Sequence, residues 1–317
     1  MKKLKWGFVI IIVLTLFAGL FYQDVIKDNG FERIEFMFDT QCTVTAYGKD
    51  AKAATEAVFD RLAEIHDATN FFSDDSEVAM INNAAAGEEV KVCEDVVRIL
   101  SAAFEVGDAS DGAFDVGIAP VTGLWDFAGM GRVPMDSEIS QALDYVGRDN
   151  ILLDRERKIV TKTVDSAKID LGGVAKGYAG DVAIEVLRKF QVDGAVVDLG
   201  GNITVMGDNP NTKDGRWRIG MQKPYSPTGE FDEVLEVRNG AVVTSGTYQR
   251  YFERDGIKYH HIIDPHTGYP ADRDYSSVTV ITESGLYADC LATACFVLGR
   301  DAGQTLAEEF GAEIYFQ

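Results

Sequence analysis

Apolar residues recur along the chain with two different periods, and the period switches repeatedly between residue 35 and the C-terminus. Glu35–Tyr47 alternates as a strand and ends at Gly48. Ala51–Ala68 carries Ala54, Ala57, Val58, Leu62 and Ile65 on one stripe, which predicts an amphipathic helix. His66 near its end reads as a helix-end cation rather than a catalyst. Asn70–Asn83 is a polar loop with an aromatic pair, closing in a short helical turn, and Cys93–Val106 is a second helix stopped by Gly107. Gly112–Gly129 holds too many glycines for a regular element. Its rings Phe114, Trp125 and Phe127 read first as a core edge and alternatively as the lining of a flat pocket. Ser137 caps a helix reaching Val146, and Ile151–Leu153 with Lys158–Lys162 forms a hairpin.

The pattern is richest from Lys168 to Gly207. A short apolar segment, Lys168–Leu171, breaks at Gly172-Gly173; a helix follows whose stripe is Val182, Ala183, Val186, Leu187 and Phe190. Ala195–Leu199 is a buried strand, broken at Gly200-Gly201 before Ile203–Met206 resumes it. Each glycine pair removes Cβ atoms at a strand end, where backbone can approach a ligand. Asp170 and Asp198 precede the two turns, and Lys176 opens the helix. A single such pair is as well explained by a tight turn, but two pairs each preceded by Asp point to a site. No G-x-G-x-x-G or P-loop is present, although a glycine turn feeding a helix N-terminus suits a phosphate.

Beyond it, Trp217–Gln222, Val234–Val237, Ala241–Thr244, Tyr248–Arg254, Ile257–Ile263 and Ser277–Thr282 read as strands, with a break at Thr244–Thr247. His260 and His261 share one strand and point to opposite faces, so one of them faces a pocket. Leu286–Leu298 and Asp301–Phe310 are helices. On the first, Asp289 and Thr293 at i and i+4 offer two hard oxygens to one point, a donor pair that suits Mg²⁺ better than zinc once carbonyls and phosphates complete the shell.

Composition narrows this picture. The chain has 317 residues and 46% hydrophobic content, read as one α+β domain over residues 31–317 behind a leader at 1–27. A net charge of -21 repels DNA, RNA and anionic lipid, so no nucleic acid is expected as partner, and an anionic ligand needs local help from a metal, a helix end or placed cations. Lys2, Lys3 and Lys5 precede a charge-free run from Trp6 to Tyr22. That pattern is an uncleaved membrane anchor, or alternatively a cleaved signal peptide; either places the rest on the extracytoplasmic face of the cell membrane or beyond it. The four cysteines lack metal or C-x-x-C spacing and read as buried small hydrophobes.

Eight segments, in order, resemble the ApbE-type flavin transferases (FAD:protein FMN transferases): DTQCTVTAYG, FFSDDSEVAMIN, GAFDVGIAPVTGLWDF, KIDLGGVAKGYAGD, VVDLGGNITVMG, VTSGTYQRYF, HHIIDPHTGYP and ADCLATACF. The resemblance implies a T-fold-like α+β domain with FAD in a cleft and Mg²⁺ at its pyrophosphate. It implies that Asp170 and Lys176 contact FAD, that the Gly173 carbonyl, Asp289 and Thr293 hold the metal, and that His261 is the catalytic base. Phe72, Leu124, Trp125, Asp126 and Ile263 would line the flavin site, and Phe38 would stand where the family shows the Met of Met-Gly-Thr. Phe72 keeps a ring where the family often has Tyr.

The implied reaction moves FMN from FAD to a Thr or Ser hydroxyl of an acceptor protein as a phosphoester and releases AMP. His261, with an ordinary imidazole pKa, would take the hydroxyl proton at neutral pH. No Thr-Gly-Ala-Thr acceptor motif occurs in this chain, so the acceptor is another protein. Two other readings use the same residues: a hydrolase that splits FAD into FMN and AMP, and a non-enzymatic exported FAD-binding protein.

Overall fold

The computed structural model describes residues 25–27, 30–227 and 229–317; the leader expected over residues 1–27 lies, but for its last three residues, outside them. In chain order the elements begin with β1 (Val25–Lys27), β2 (Gly30–Met37), β3 (Thr40–Tyr47), α1 (Ala51–Thr69), α2 (Glu77–Asn83), β4 (Val90–Lys91) and α3 (Glu94–Ala109). Next come α4 (Ala119–Trp125), α5 (Asp136–Leu143), β5 (Ile151–Asp154), β6 (Ile159–Lys162), α6 (Ala175–Leu187), β7 (Gly194–Leu199) and β8 (Ile203–Gly207). The chain closes with β9 (Trp217–Gln222), β10 (Phe231–Val237), β11 (Gly240–Gly246), β12 (Tyr251–Arg254), β13 (Ile257–His260), β14 (Ser277–Thr282), α7 (Gly285–Leu298), α8 (Arg300–Glu309) and β15 (Glu313–Phe316).

Eight strands form one antiparallel sheet in the order β1-β2-β3-β7-β8-β11-β14-β15. Helices α1, α3, α6, α7 and α8 join one face of the sheet in a single apolar core. Across the other face lies the β9–β10 hairpin, whose Trp217, Ile219, Met221, Leu235 and Val237 pack on Tyr47, Val205 and Val242. A third, small core gathers Val121, Trp125, Ile139 and Ile263 beside the loops that follow. This α+β architecture is the one expected from the alternating periods.

Helix α7 is apolar on nearly every side, because it is wedged between α3, α6, α8 and strands β11 and β14. It crosses α6 at a contact only glycine permits. A Cβ on Gly177 would collide with the Gly285 carbonyl oxygen and come within 2.7 Å of the Asp289 Cβ. The two helices then cap each other. Asp181 of α6 accepts from the Ser284 hydroxyl (2.7 Å) and from the N–H groups of Gly285 (2.6 Å) and Leu286 (3.0 Å) at the start of α7. Asp289 of α7 accepts from the Gly177 N–H in the first turn of α6 (2.9 Å). Each carboxylate meets the positive end of the other helix.

Several elements differ from the sequence expectation, each for a local reason. Glu35–Tyr47 is the middle of a hairpin rather than one strand: Phe38 and Asp39 turn the chain with φ of 52° and 57°, a left-handed pair without the usual glycine. Lys168–Leu171 is extended but joins no sheet; the Asn82 side chain satisfies Ile169 at both N–H and C=O, and Asp170 N–H donates to Val116 O. Gly107 does not stop α3, and its bare Cα admits the Phe114 carbonyl, which a Cβ would meet at 2.9 Å. The segment 112–129 contains α4, and α5 is capped at Met135, whose N–H donates to Glu138, rather than at Ser137. Strand β11 runs on through Ser245 to Gly246, so the break falls after it, and β13 ends at His260. The four cysteines are free thiols, with Cys42, Cys290 and Cys295 buried and Cys93 half-buried.

The crossing yields a stability prediction. Gly177→Ala forces α6 and α7 apart and lowers stability by about 3 kcal/mol. Chemical denaturation will read this as a lower midpoint; an unchanged midpoint would show that the crossing relaxes freely.

Candidate active site

A cleft of about 730 Å³ opens where the start of α6, the middle of α7, the β2–β3 and β7–β8 turns and the end of β11 meet the loops at 113–128 and 249–265. Its lining includes Phe38, Phe72, Asp126, Asp170, Gly173, Lys176, His261, Ile263, Asp289 and Thr293, ten of the twelve positions expected at the site. Leu124 and Trp125 lie outside that lining. The Trp125 ring is fully buried in the small third core, stacked on Phe127, and its Nε1–H donates to Gly268 O at 2.9 Å. For Trp125 the core-edge reading of its segment holds, whereas Phe114 and Phe127 reach the cleft. A second depression, of about 650 Å³, lies over α3, α6 and α7. Its wall is occupied by polar pairs such as the Arg98–Glu185 ion pair (3.6 Å) and the Tyr287 hydroxyl donating to Glu105 (2.7 Å).

One pole of the cleft gathers oxygen donors. Asp289 is only 5% exposed, and burial pushes its carboxyl up while Lys176 and the Gly177 N–H hold it down. Thr293, one turn along α7, shares its hydroxyl with Ser245 of β11 at 3.1 Å. Gly173 stands opposite, its Cβ direction 4.0 Å from Thr293 Oγ1. Lys176 folds back on the same turn, its Nζ donating to Gly172 O at 3.0 Å. Among the described residues no group of three or more His, Cys, Asp or Glu is gathered to hold a metal by itself. One carboxylate with a hydroxyl and a carbonyl is an all-oxygen, underfilled donor set. It fits Mg²⁺, which keeps places for waters and substrate phosphates, and does not fit zinc.

His261 sits on the adjacent wall. Its backbone N–H and its Nδ1 both lie 3.1 Å from the Arg250 carbonyl oxygen. A carbonyl only accepts, so Nδ1 carries the proton and Nε2 keeps the lone pair. Burial, with the Arg250 cation, His260 and Lys176 adding to it, holds the imidazole down at about 3, which corrects the expectation of an ordinary value. Neighbouring His260 turns the other way against Phe296, and burial holds it at about 4. As the sequence implied, one of the pair faces the pocket. Asp170 caps the Gly172 N–H at 2.8 Å; burial raises its carboxyl, opposed by that N–H, Arg250 and Lys176.

The other pole is aromatic and apolar. Phe38 packs edge-on to His66 (5.2 Å), and His66 Nδ1 accepts the Phe38 N–H at 3.2 Å. His66 therefore anchors the β2–β3 turn rather than serving only as a helix-end charge. Phe72 is 61% exposed at the rim and Ile263 joins the cleft to the small core, while buried Phe114 lies between the poles, its ring 3.5 Å from the Cβ direction of Gly173. Asp126 ends α4 in a left-handed conformation.

Sequence reasoning missed Arg250, Ser245 and Asn202, and it ranked Phe114 as core edge before pocket lining. Asn202 follows Gly200-Gly201 directly, so the glycine pair was a signal for it; Arg250 and Ser245 lay in a segment read as strand and break.

Comparison with known proteins gives the family of the chain. The ApbE family profile matches residues 38–316. The chain belongs to the ApbE family. A relative from Treponema pallidum, a FAD:protein FMN transferase, is 35% identical over 88% of this chain and 82% of its own. The ApbE protein of Thermotoga maritima superposes with a TM-score of 0.81 at 34% identity, covering 90% of this chain and 94% of that one. The flavin transferase ApbE of Vibrio cholerae superposes at 0.80 with 29% identity, covering 90% and 93%. The α+β domain of this ApbE chain is thus the family's fold.

Because both histidines are held far below the ordinary 6.5, their neutral forms persist as pH falls until about 3 to 4. In the ligand-free protein, ¹⁵N NMR at pH 5 will find His260 and His261 neutral, with His261 protonated on Nδ1. An imidazolium at either position at that pH would contradict the burial argument.

Proposed function

We propose that the chain is a Mg²⁺-dependent FAD:protein FMN transferase that joins FMN to a Thr or Ser hydroxyl of an acceptor protein and releases AMP. The observation that carries this reading is the convergence of Asp289, Thr293, Lys176 and His261, drawn from three separate segments, on one cleft in an ApbE-family chain. An aromatic pole suits an isoalloxazine ring, and the polar floor suits a pyrophosphate.

The roles follow from the geometry. Lys176 and Arg250 supply the local positive charge that an anionic dinucleotide needs on a chain of net charge -21. The Gly173 carbonyl, Asp289 and Thr293 would hold Mg²⁺, which supplies Lewis-acid neutralisation of phosphate charge. The acceptor hydroxyl oxygen forms a bond to the FMN phosphorus as the bond to the AMP oxygen breaks. His261 Nε2, its lone pair fixed by the Arg250 carbonyl, takes the hydroxyl proton. In the empty cleft that nitrogen is a weak base. Burial is the main cause of that weakness; phosphate charge would offset the smaller contributions of Arg250 and Lys176 when substrate is seated.

We further propose that the leader holds the domain on the extracytoplasmic face of the membrane, on the strength of Lys2, Lys3 and Lys5 before a charge-free run.

The test incubates the full chain with FAD, Mg²⁺ and an acceptor domain carrying a Thr/Ser flavinylation motif, and follows AMP and acceptor mass together. AMP matched by an FMN mass on the acceptor, both lost in His261→Ala and Asp289→Ala, is the expected result. AMP with free FMN and an unmodified acceptor would make the protein a hydrolase, and FAD returned intact would leave a binding protein.

A further inference from the structure

The β7–β8 turn presents a side chain that the fold leaves without a partner. Gly200 and Gly201 both take positive φ, 68° and 89°, and Asp198 Oδ1 caps the Gly201 N–H at 2.7 Å. The Leu199 N–H closes the turn on Asn202 O at 3.0 Å, so Asn202 is held at a fixed hairpin position. A Cβ at Gly200 would crowd Thr40, leaving the turn no room to shift. Alternation along the strand then sets the direction. Ile203 packs toward the β9–β10 layer and Thr204 packs toward Gly180 of α6. Asn202, two residues before Thr204, faces the helices as well.

There its side chain is 3% exposed and lines the cleft beside Asp289. Neither Oδ1 nor Nδ2 has a hydrogen-bond partner, although the amide lies close enough to Asp289 to help hold its carboxyl down. A buried amide oxygen without a partner is a standing cost to the fold unless a ligand completes it. The pole it faces already offers a carboxylate and a hydroxyl, both hard oxygens. An amide oxygen is a donor of the same kind.

We propose that Asn202 belongs to this cation pole, contributing its amide oxygen to the divalent ion that Asp289 and Thr293 would hold. The assignment rests on the flavin-transferase reading of the cleft. It explains why a glycine pair fixes this turn so tightly: the turn delivers an oxygen.

The test measures Mn²⁺ binding by electron paramagnetic resonance, without FAD, on the full chain in mild detergent, beside thermal unfolding of the metal-free protein. Asn202→Leu keeps the branching at Cγ and removes both polar atoms. Its Mn²⁺ affinity should fall at least about tenfold, while its metal-free unfolding temperature stays level or rises because no unpartnered amide remains. Asn202→Asp restores an oxygen and adds charge, and should bind Mn²⁺ at least as tightly as the wild type. Unchanged Mn²⁺ affinity in Asn202→Leu would overturn the proposal while leaving the transferase reading intact. So would a parallel loss of stability and Mn²⁺ binding in both variants, the signature of a merely structural residue. A wild type that binds no Mn²⁺ would overturn the cation pole itself, and Asn202's place in it.

Discussion

The approach of α6 and α7 at Gly177 and Gly285 is the contact on which the rest of the cleft depends. Only there does the backbone of one helix lie against that of the other, and only from there can Asp289 reach the Gly177 N–H. A carboxylate inside an otherwise apolar helix is costly unless it is paired or hydrogen-bonded. Here one N–H and a nearby lysine supply part of that compensation, and burial still raises the carboxyl. The crossing also fixes the relative height of the helices, because Asp181 locks the first turn of α7 onto α6 from the other side. Lys176 and Gly173, which lead into α6, and Thr293 on α7 inherit their separation from this contact.

The electrostatics of the cleft read as one unfinished arrangement. Asp170 and Asp289 are pushed up and His261 is pushed down, each chiefly by burial. Charges of both signs are thus disfavoured in the same small volume, and no internal pairing resolves them. Arg250 sits at the centre of this: its carbonyl fixes the His261 tautomer, and its guanidinium depresses the same ring. A cation at Asp289 would favour the charged carboxylates, and negative phosphates would favour a protonated His261. In the ligand-free cleft that leaves His261 neutral.

Much of the fold was legible because period and burial agree. Ser277–Thr282 and Trp217–Gln222 were read to the residue, and α7 and α8 to within one residue at each end. The failures share a cause: tertiary partners replaced local signals. The Phe38–Asp39 turn takes left-handed geometry without glycine because His66, 28 residues away from Phe38, accepts its N–H. Lys168–Leu171 has strand composition but its hydrogen bonds go to Asn82. Within the site, Asp289, Thr293, Lys176 and His261 were named from the sequence, the last by resemblance rather than spacing. Trp125 was also placed at the flavin, yet its ring is a core anchor; an aromatic on a glycine-rich loop has no periodicity to tell which way it points.

Asn202 shows why such residues escape a reading based on consistency. Helical stripes and alternating strands announce themselves because each position agrees with its neighbours and with the fold. A residue kept for a ligand does the opposite, breaking a local rule without any compensation inside the protein. The unpartnered amide oxygen is of this kind, while the two glycines before Asn202 and the Phe38–Asp39 turn held by His66 fix the backbone around it. They ring the same cleft, while the sheet and helices around them obey the ordinary rules. Local disagreement with the fold, clustered where backbone is tight, is therefore the mark by which this site separates itself from the core that carries it.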